Sequence, residues 1–134
     1  ALFYHDVVYQ PKKADNEAKS ALWLQQHLHG HLPEAQLQRI QQWVLATASH
    51  QHHGDEADLA WVLDIDLSIL SADTTRFQEY ERQIRLEYRH VPSLIYRCKR
   101  RQILRQFAQR QPLYLTHYFK THLEAQAKRK LQAA

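Results

Sequence analysis

Leu63-Asp64-Ile65-Asp66-Leu67-Ser68-Ile69-Leu70 sets two aspartates two positions apart in an otherwise apolar run. Read as a helix, the run gives Asp66 the neighbours Val62, Leu63, Ile69 and Leu70 at i−4, i−3, i+3 and i+4. Its carboxylate is then expected to leave the middle of the apolar stripe and point toward the core. Asp64 has Ala60, Trp61, Leu67 and Ser68 as neighbours and faces about 200° away, two steps of ~100°. A regular helix cannot easily turn both toward one ion, so Asp66 is the expected ligand and Asp64 lies at the margin of a pocket. A buried aspartate needs a partner, whether a metal, an arginine or the N–H groups of a helix start.

Outward from this run, helical spacing continues over the chain. With two glycines and four prolines in 134 residues, and little strand-like alternation, the expectation is all-α. We expect a compact bundle of about six or seven helices forming one domain over residues 1–134. The first helix should stop near Tyr9, because Pro11 disfavours helix at Gln10. Asp15 can cap a helix to about His29, with Ala21, Leu22, Leu24 and Leu28 inward and Gly30 beyond its end. Pro33 opens a helix to about His50 on the stripe Leu37, Ile40, Trp43, Val44 and Thr47. Asp55 caps the helix bearing Asp66. Asp73 or Thr74 begins another, with Phe77, Tyr80, Ile84 and Tyr88 inward. Pro92 starts a helix to about Arg110 on the row Leu94, Ile95, Cys98, Ile103, Leu104 and Phe107. Thr116 caps the last.

At the start of the chain, His5 and Asp6 stand side by side in Ala-Leu-Phe-Tyr-His-Asp-Val-Val-Tyr-Gln-Pro, residues 1–11. The surroundings are apolar and aromatic, and burying an ionisable pair there costs several kcal/mol unless a partner compensates. Imidazole nitrogen and carboxylate oxygen are both good ligands for a divalent metal; a hydrogen-bonded core histidine is the alternative. The loop Ser49-His50-Gln51-His52-His53-Gly54 concentrates three more imidazoles. His50 is the functional candidate there, because it continues the row through Thr47; His53 is second, and His52 is expected in solvent.

These residues together resemble the HD-domain superfamily of metal-dependent phosphohydrolases, in which a His-Asp pair is followed by a distant Asp on a later helix. Further stretches are similar to its bacterial branch of predicted metal-dependent HD phosphohydrolases. They are Phe3-Tyr4-His5-Asp6-Val7-Val8-Tyr9 with Pro11, Asp15-Asn16-Glu17 with Ser20, and Ala46-Thr47 with His50. The run 63–70, Ile84-Arg85-Leu86-Glu87-Tyr88 with Val91-Pro92, and Arg100 before Ile103-Leu104 complete them. The resemblance implies an HD-like fold and a divalent ion held by His5, Asp6 and Asp66. It implies His50 and Asp64 in catalysis, and Arg85 and Arg100 facing the phosphate of a small substrate such as a nucleotide. Mixed His/Asp ligation suits Mn, Fe, Co, Ni, Zn or Mg. The superfamily's first metal histidine lies on a helix before the His-Asp pair, so the resemblance also implies a chain lacking its N-terminal helices.

Charge divides the chain. Residues 1–88 hold seven Lys+Arg against thirteen Asp+Glu, and residues 89–134 hold eleven against one, giving −6 and +10. A basic third suits an anionic substrate and equally suits nucleic acid. A non-catalytic helical module binding nucleic acid or nucleotides is therefore the rival expectation, and a solvated basic face is the plain one. The single cysteine, Cys98, fits a reducing cytoplasm, and no apolar run of ~18 residues is present to span a membrane.

Overall fold

The computed structural model describes residues 1–52 and 54–134; the expectation placed on His53 lies outside the described residues. The chain is all-α, with no strand among the described residues. In order it forms α1 (Asn16–Leu28), α2 (Glu34–Ala46), α3 (Ala57–Asp66), a 3-10 helix (Leu67–Ser71), α4 (Thr74–Glu87), α5 (Ser93–Gln109), α6 (His117–His122) and α7 (Glu124–Ala133). No helix among them is long and apolar enough to cross a membrane. The chain divides into two compact units, Ala1–Asp66 and Leu67–Ala134.

In the first unit α1 packs on α2. Leu24, Leu37 and Val44 are fully buried, with Ala21 beside them and Trp23, Leu28 and Ile40 packed around. Ala21, Leu24 and Leu28 share one helical face, whereas Leu22 lies one ~100° step away and is 56% exposed, against expectation. The expected first helix does not form: residues 2–8 make turns and bends. Two short polar side chains of α1 explain this. Ser20, fully buried, accepts from the Val8 N–H at 3.1 Å and donates to the Val8 carbonyl at 3.2 Å. Asn16 accepts from the Gln10 N–H at 2.9 Å and donates to the carbonyls of Gln10 (3.1 Å) and Lys13 (3.2 Å). Backbone groups that a helix would use are thus satisfied by side chains.

α2 also ends four residues short of His50. Thr47 turns its hydroxyl back onto the Val44 carbonyl at 2.7 Å, and its N–H tightens onto the same carbonyl. His50 then donates its N–H to the Ala46 carbonyl from a left-handed backbone, φ 51°. That is the conformation glycine usually supplies where a helix ends.

The second unit is built on Leu67, Leu70, Phe77, Leu104, Tyr114, Phe119 and Leu131. Tyr114 is fully buried and donates its hydroxyl to the Leu67 carbonyl at 3.1 Å. Asp73 caps α4 by accepting the Arg76 N–H, and Thr116 caps α6 through the Phe119 N–H, both as expected. The last helix is broken at Leu123, where Glu124 begins α7 and its carboxylate accepts the N–H of Leu113. Of the row expected to face inward on α5, only Leu104 is buried; Leu94 is 76% exposed and Ile95, Cys98 and Ile103 are exposed too. α5 meets α7 on the side of Leu104, Phe107 and Ala108, and Arg100 joins it to Glu81 of α4.

Candidate metal centre

Three segments of the first unit meet at Asp66, the last residue of α3. From the turn after Ala1, His5 brings Nε2 to 3.0 Å from Asp66 Oδ1 and 3.1 Å from Asp6 Oδ2. From the end of the α2 turn, His50 brings Nε2 to 2.6 Å from Asp66 Oδ2. Each oxygen of the Asp66 carboxylate therefore receives one imidazole. The side chains of His5, His50 and Asp66 are about one-fifth exposed, and Asp6 is over half exposed, so the cluster is sheltered on one side and open on the other.

Electrostatics follow from this geometry. Carboxylates accept only, so each Nε2 carries a proton. His5 also sets Nδ1 2.9 Å from the Leu2 carbonyl, so both of its ring nitrogens face acceptors and the imidazolium is favoured. Its bond to Asp66, opposed in part by burial, raises its pKa to about 9. Burial pushes the Asp66 carboxyl up, but the bonds and charge of His5 and His50 outweigh it and hold the group well below the usual carboxylate range.

The sequence reading held Asp66 to be the core-facing acid and Asp64 the marginal one, and burial runs the other way. Asp64 is 1% exposed and Asp66 is half-buried. The α-helix stops at Asp66 and continues as 3-10 geometry. Ile69 and Leu70 therefore do not complete an α-helical stripe around Asp66, whose carboxylate is left at the helix end. Asp64 sits within the packed side of α3 with Leu59, Val62 and Leu63 buried nearby in sequence.

His5, Asp6, His50 and Asp66 are thus brought together, with His50 bonded directly to the proposed ligand. Arg85 and Arg100 lie in the other unit. Arg85 donates to the carbonyls of Tyr88 (2.8 Å) and Val91 (3.3 Å) and to Ser93 Oγ (3.2 Å), clipping the turn between α4 and α5. Arg100 spends Nε, at 3.1 Å from both oxygens, and one terminal nitrogen on Glu81. Its charge is held against burial by that carboxylate, with Tyr80 beside it. Sequence reasoning named Asn16 and Ser20 only through the resemblance; their anchoring of Gln10 and Val8, just after the His5-Asp6 turn, had no local signal, because those bonds reach 6 and 12 residues back.

Among the described residues no three His, Cys, Asp or Glu side chains are arranged as a ready ligand set. The donors point at one another across protons. In kind they fit a divalent ion: two imidazoles and two carboxylates within hydrogen-bonding reach. No family model, no curated protein and no solved structure matches this chain.

Proposed function

We propose that this chain is a metal-dependent phosphohydrolase of HD type acting on a phosphate ester of nucleotide-like size. The observation that carries the reading is the delivery of His5 and His50, from separate segments, to opposite oxygens of Asp66. His5, Asp6 and Asp66 would hold the ion, and His50 is near enough to join them or to move a proton beside it. The left-handed backbone at His50 supports a functional demand at this position, since a β-carbon there costs about 1 kcal/mol. When bound, a divalent ion supplies acidity to water and polarises a phosphoryl oxygen.

The chain's own residues account for the rest. Ser20 and Asn16 hold the turn so that His5 and Asp6 arrive together. Asp66 bridges the two imidazoles in the metal-free state and keeps both oriented. Asp64 acts from within the packing of α3, as a positioning residue. Arg85 and Arg100, sequestered by backbone carbonyls and by Glu81, serve the frame of the second unit in this reading rather than the phosphate.

Metal uptake must displace the Nε2 protons, so it releases protons and strengthens as pH rises. Titrate the chain with Mn²⁺ and with Zn²⁺ by calorimetry in two buffers of different ionisation enthalpy. Then assay phosphatase activity on p-nitrophenyl phosphate and a nucleotide panel. Stoichiometric binding with proton release, lost in Asp66→Ala and weakened in His5→Ala, is expected. Absence of binding by the wild-type chain for any divalent ion from pH 6 to 9 overturns the reading.

A further inference from the structure

The basic third contains two kinds of cation, and the structure separates them. Arg85 and Arg100 are engaged, as described. Arg97, Lys99, Arg101 and Arg105 of α5 are exposed, and among the described residues none of them takes part in an ion pair. α5 has no acid over its 17 residues. Glu124, the single acid of residues 89–134, is occupied by the N–H groups of Leu113 and Tyr114 and by Lys128. A field of one sign therefore stands over this helix with nothing in its own segment to neutralise it.

Spacing turns the field into a track. Arg97, Arg101 and Arg105 recur every four residues, so each step advances about 6 Å along the helix and turns only about 40°. Arg101 and Arg105 stand on a ridge between two open hollows. One, of about 540 Å³, is lined by the same two arginines with Gln102, Gln106 and Gln109. The other, of about 400 Å³, lies toward Leu131 and Gln132 of α7. Side-chain amides carry both donor and acceptor and can meet the edges of unpaired bases.

We propose that the Arg97–Arg101–Arg105 row of α5 binds the phosphodiester backbone of a single-stranded nucleic acid, with the flanking glutamines against its bases. A row of cations about 6 Å apart follows one strand, and the Watson–Crick edges that Gln102 and Gln106 can meet are free only in a strand that is unpaired. The row belongs to the second unit and does not depend on the hydrolase reading.

Fluorescence anisotropy of the whole chain with labelled twenty-nucleotide RNA and DNA strands tests this. The wild type should bind, with log Kd rising with log salt. Arg97→Gln/Arg101→Gln/Arg105→Gln should weaken binding about tenfold or more at low salt and lower the salt slope by about 2, near 0.7 per phosphate contact. All three positions are exposed, so the melting temperature should hold and report that the fold is intact. Lys12→Gln/Lys13→Gln, an exposed pair in the first unit, should bind as wild type. No binding by the wild type, or equal losses in both variants, overturns the proposal. Tighter binding to the matching duplex, or binding to phosphatidylserine vesicles with none to either strand, overturns it as well.

Discussion

The first unit and the second each build a sheltered ionic group, and they do so with opposite chemistry. Around Asp66 the cations are imidazoles, whose charge depends on pH, and the neighbouring Asp6 is open to solvent. At Glu81 the cation is a guanidinium, permanently charged, which grips the carboxylate through Nε and a terminal nitrogen. The second arrangement is closed: donors and acceptors match, and Tyr80 covers the guanidinium at 5.4 Å. The first is held together by protons shared between imidazole and carboxylate. Such a contrast separates a pair whose charge is fixed from a cluster whose charge depends on pH.

The sharpest way to break the comparison is to remove one side of the closed pair. Arg100 is 14% exposed and Glu81 26%, so Glu81→Ala leaves a guanidinium stranded. We expect a loss of about 3 kcal/mol, measured by urea unfolding. Replacing both residues, Arg100→Met with Glu81→Leu, should recover most of it. If Glu81→Ala is as stable as wild type, the pair is a surface contact and the contrast fails.

The Asp66 cluster should instead answer to pH. Because His5 is raised to about 9 from 6.5, its contribution to the metal-free chain is complete below pH 6.5. It is lost as pH rises through about 9. Asp66, held low, contributes above the ordinary aspartate range and loses that contribution only in strong acid. The stability without metal should therefore fall between pH 6.5 and 9, by on the order of 2 kcal/mol once solvent screening is allowed for, and the melting temperature should fall with it. Asp66→Asn should flatten that slope while Glu81→Ala leaves it in place. A slope that persists in Asp66→Asn would assign it to other groups.

A smaller effect tests what holds the His5-Asp6 turn. Ser20→Ala leaves the N–H and carbonyl of Val8 without their buried partner, which should cost about 1 to 2 kcal/mol. Divalent-ion affinity should drop with it while far-ultraviolet circular dichroism is retained. Ser20→Thr, which keeps the hydroxyl, should recover part of the affinity. Unchanged affinity in Ser20→Ala would show that His5 and Asp6 are positioned by something else.

Local sequence determined the class of this chain and most of its punctuation. Glycine poverty made it helical, Pro33 and Pro92 stand just before helix starts, and Asp73 and Thr116 cap theirs, because these effects act within about four residues. The candidate ligands were legible as residue types in an apolar setting. Which of them meet was decided by the tertiary structure. The bond of His50 to Asp66 spans 16 residues and needs α2 to end early on a left-handed turn. Asp64 is buried, and Asp66 about one-fifth exposed, where α3 changes to 3-10 geometry and helical spacing predicted continuation. Arg100 is paired with Glu81, 19 residues away on another helix. Periodicity along one helix orders neighbours at i±3 and i±4 and is silent about partners beyond them, and it is those partners that separate the closed pair from the open cluster.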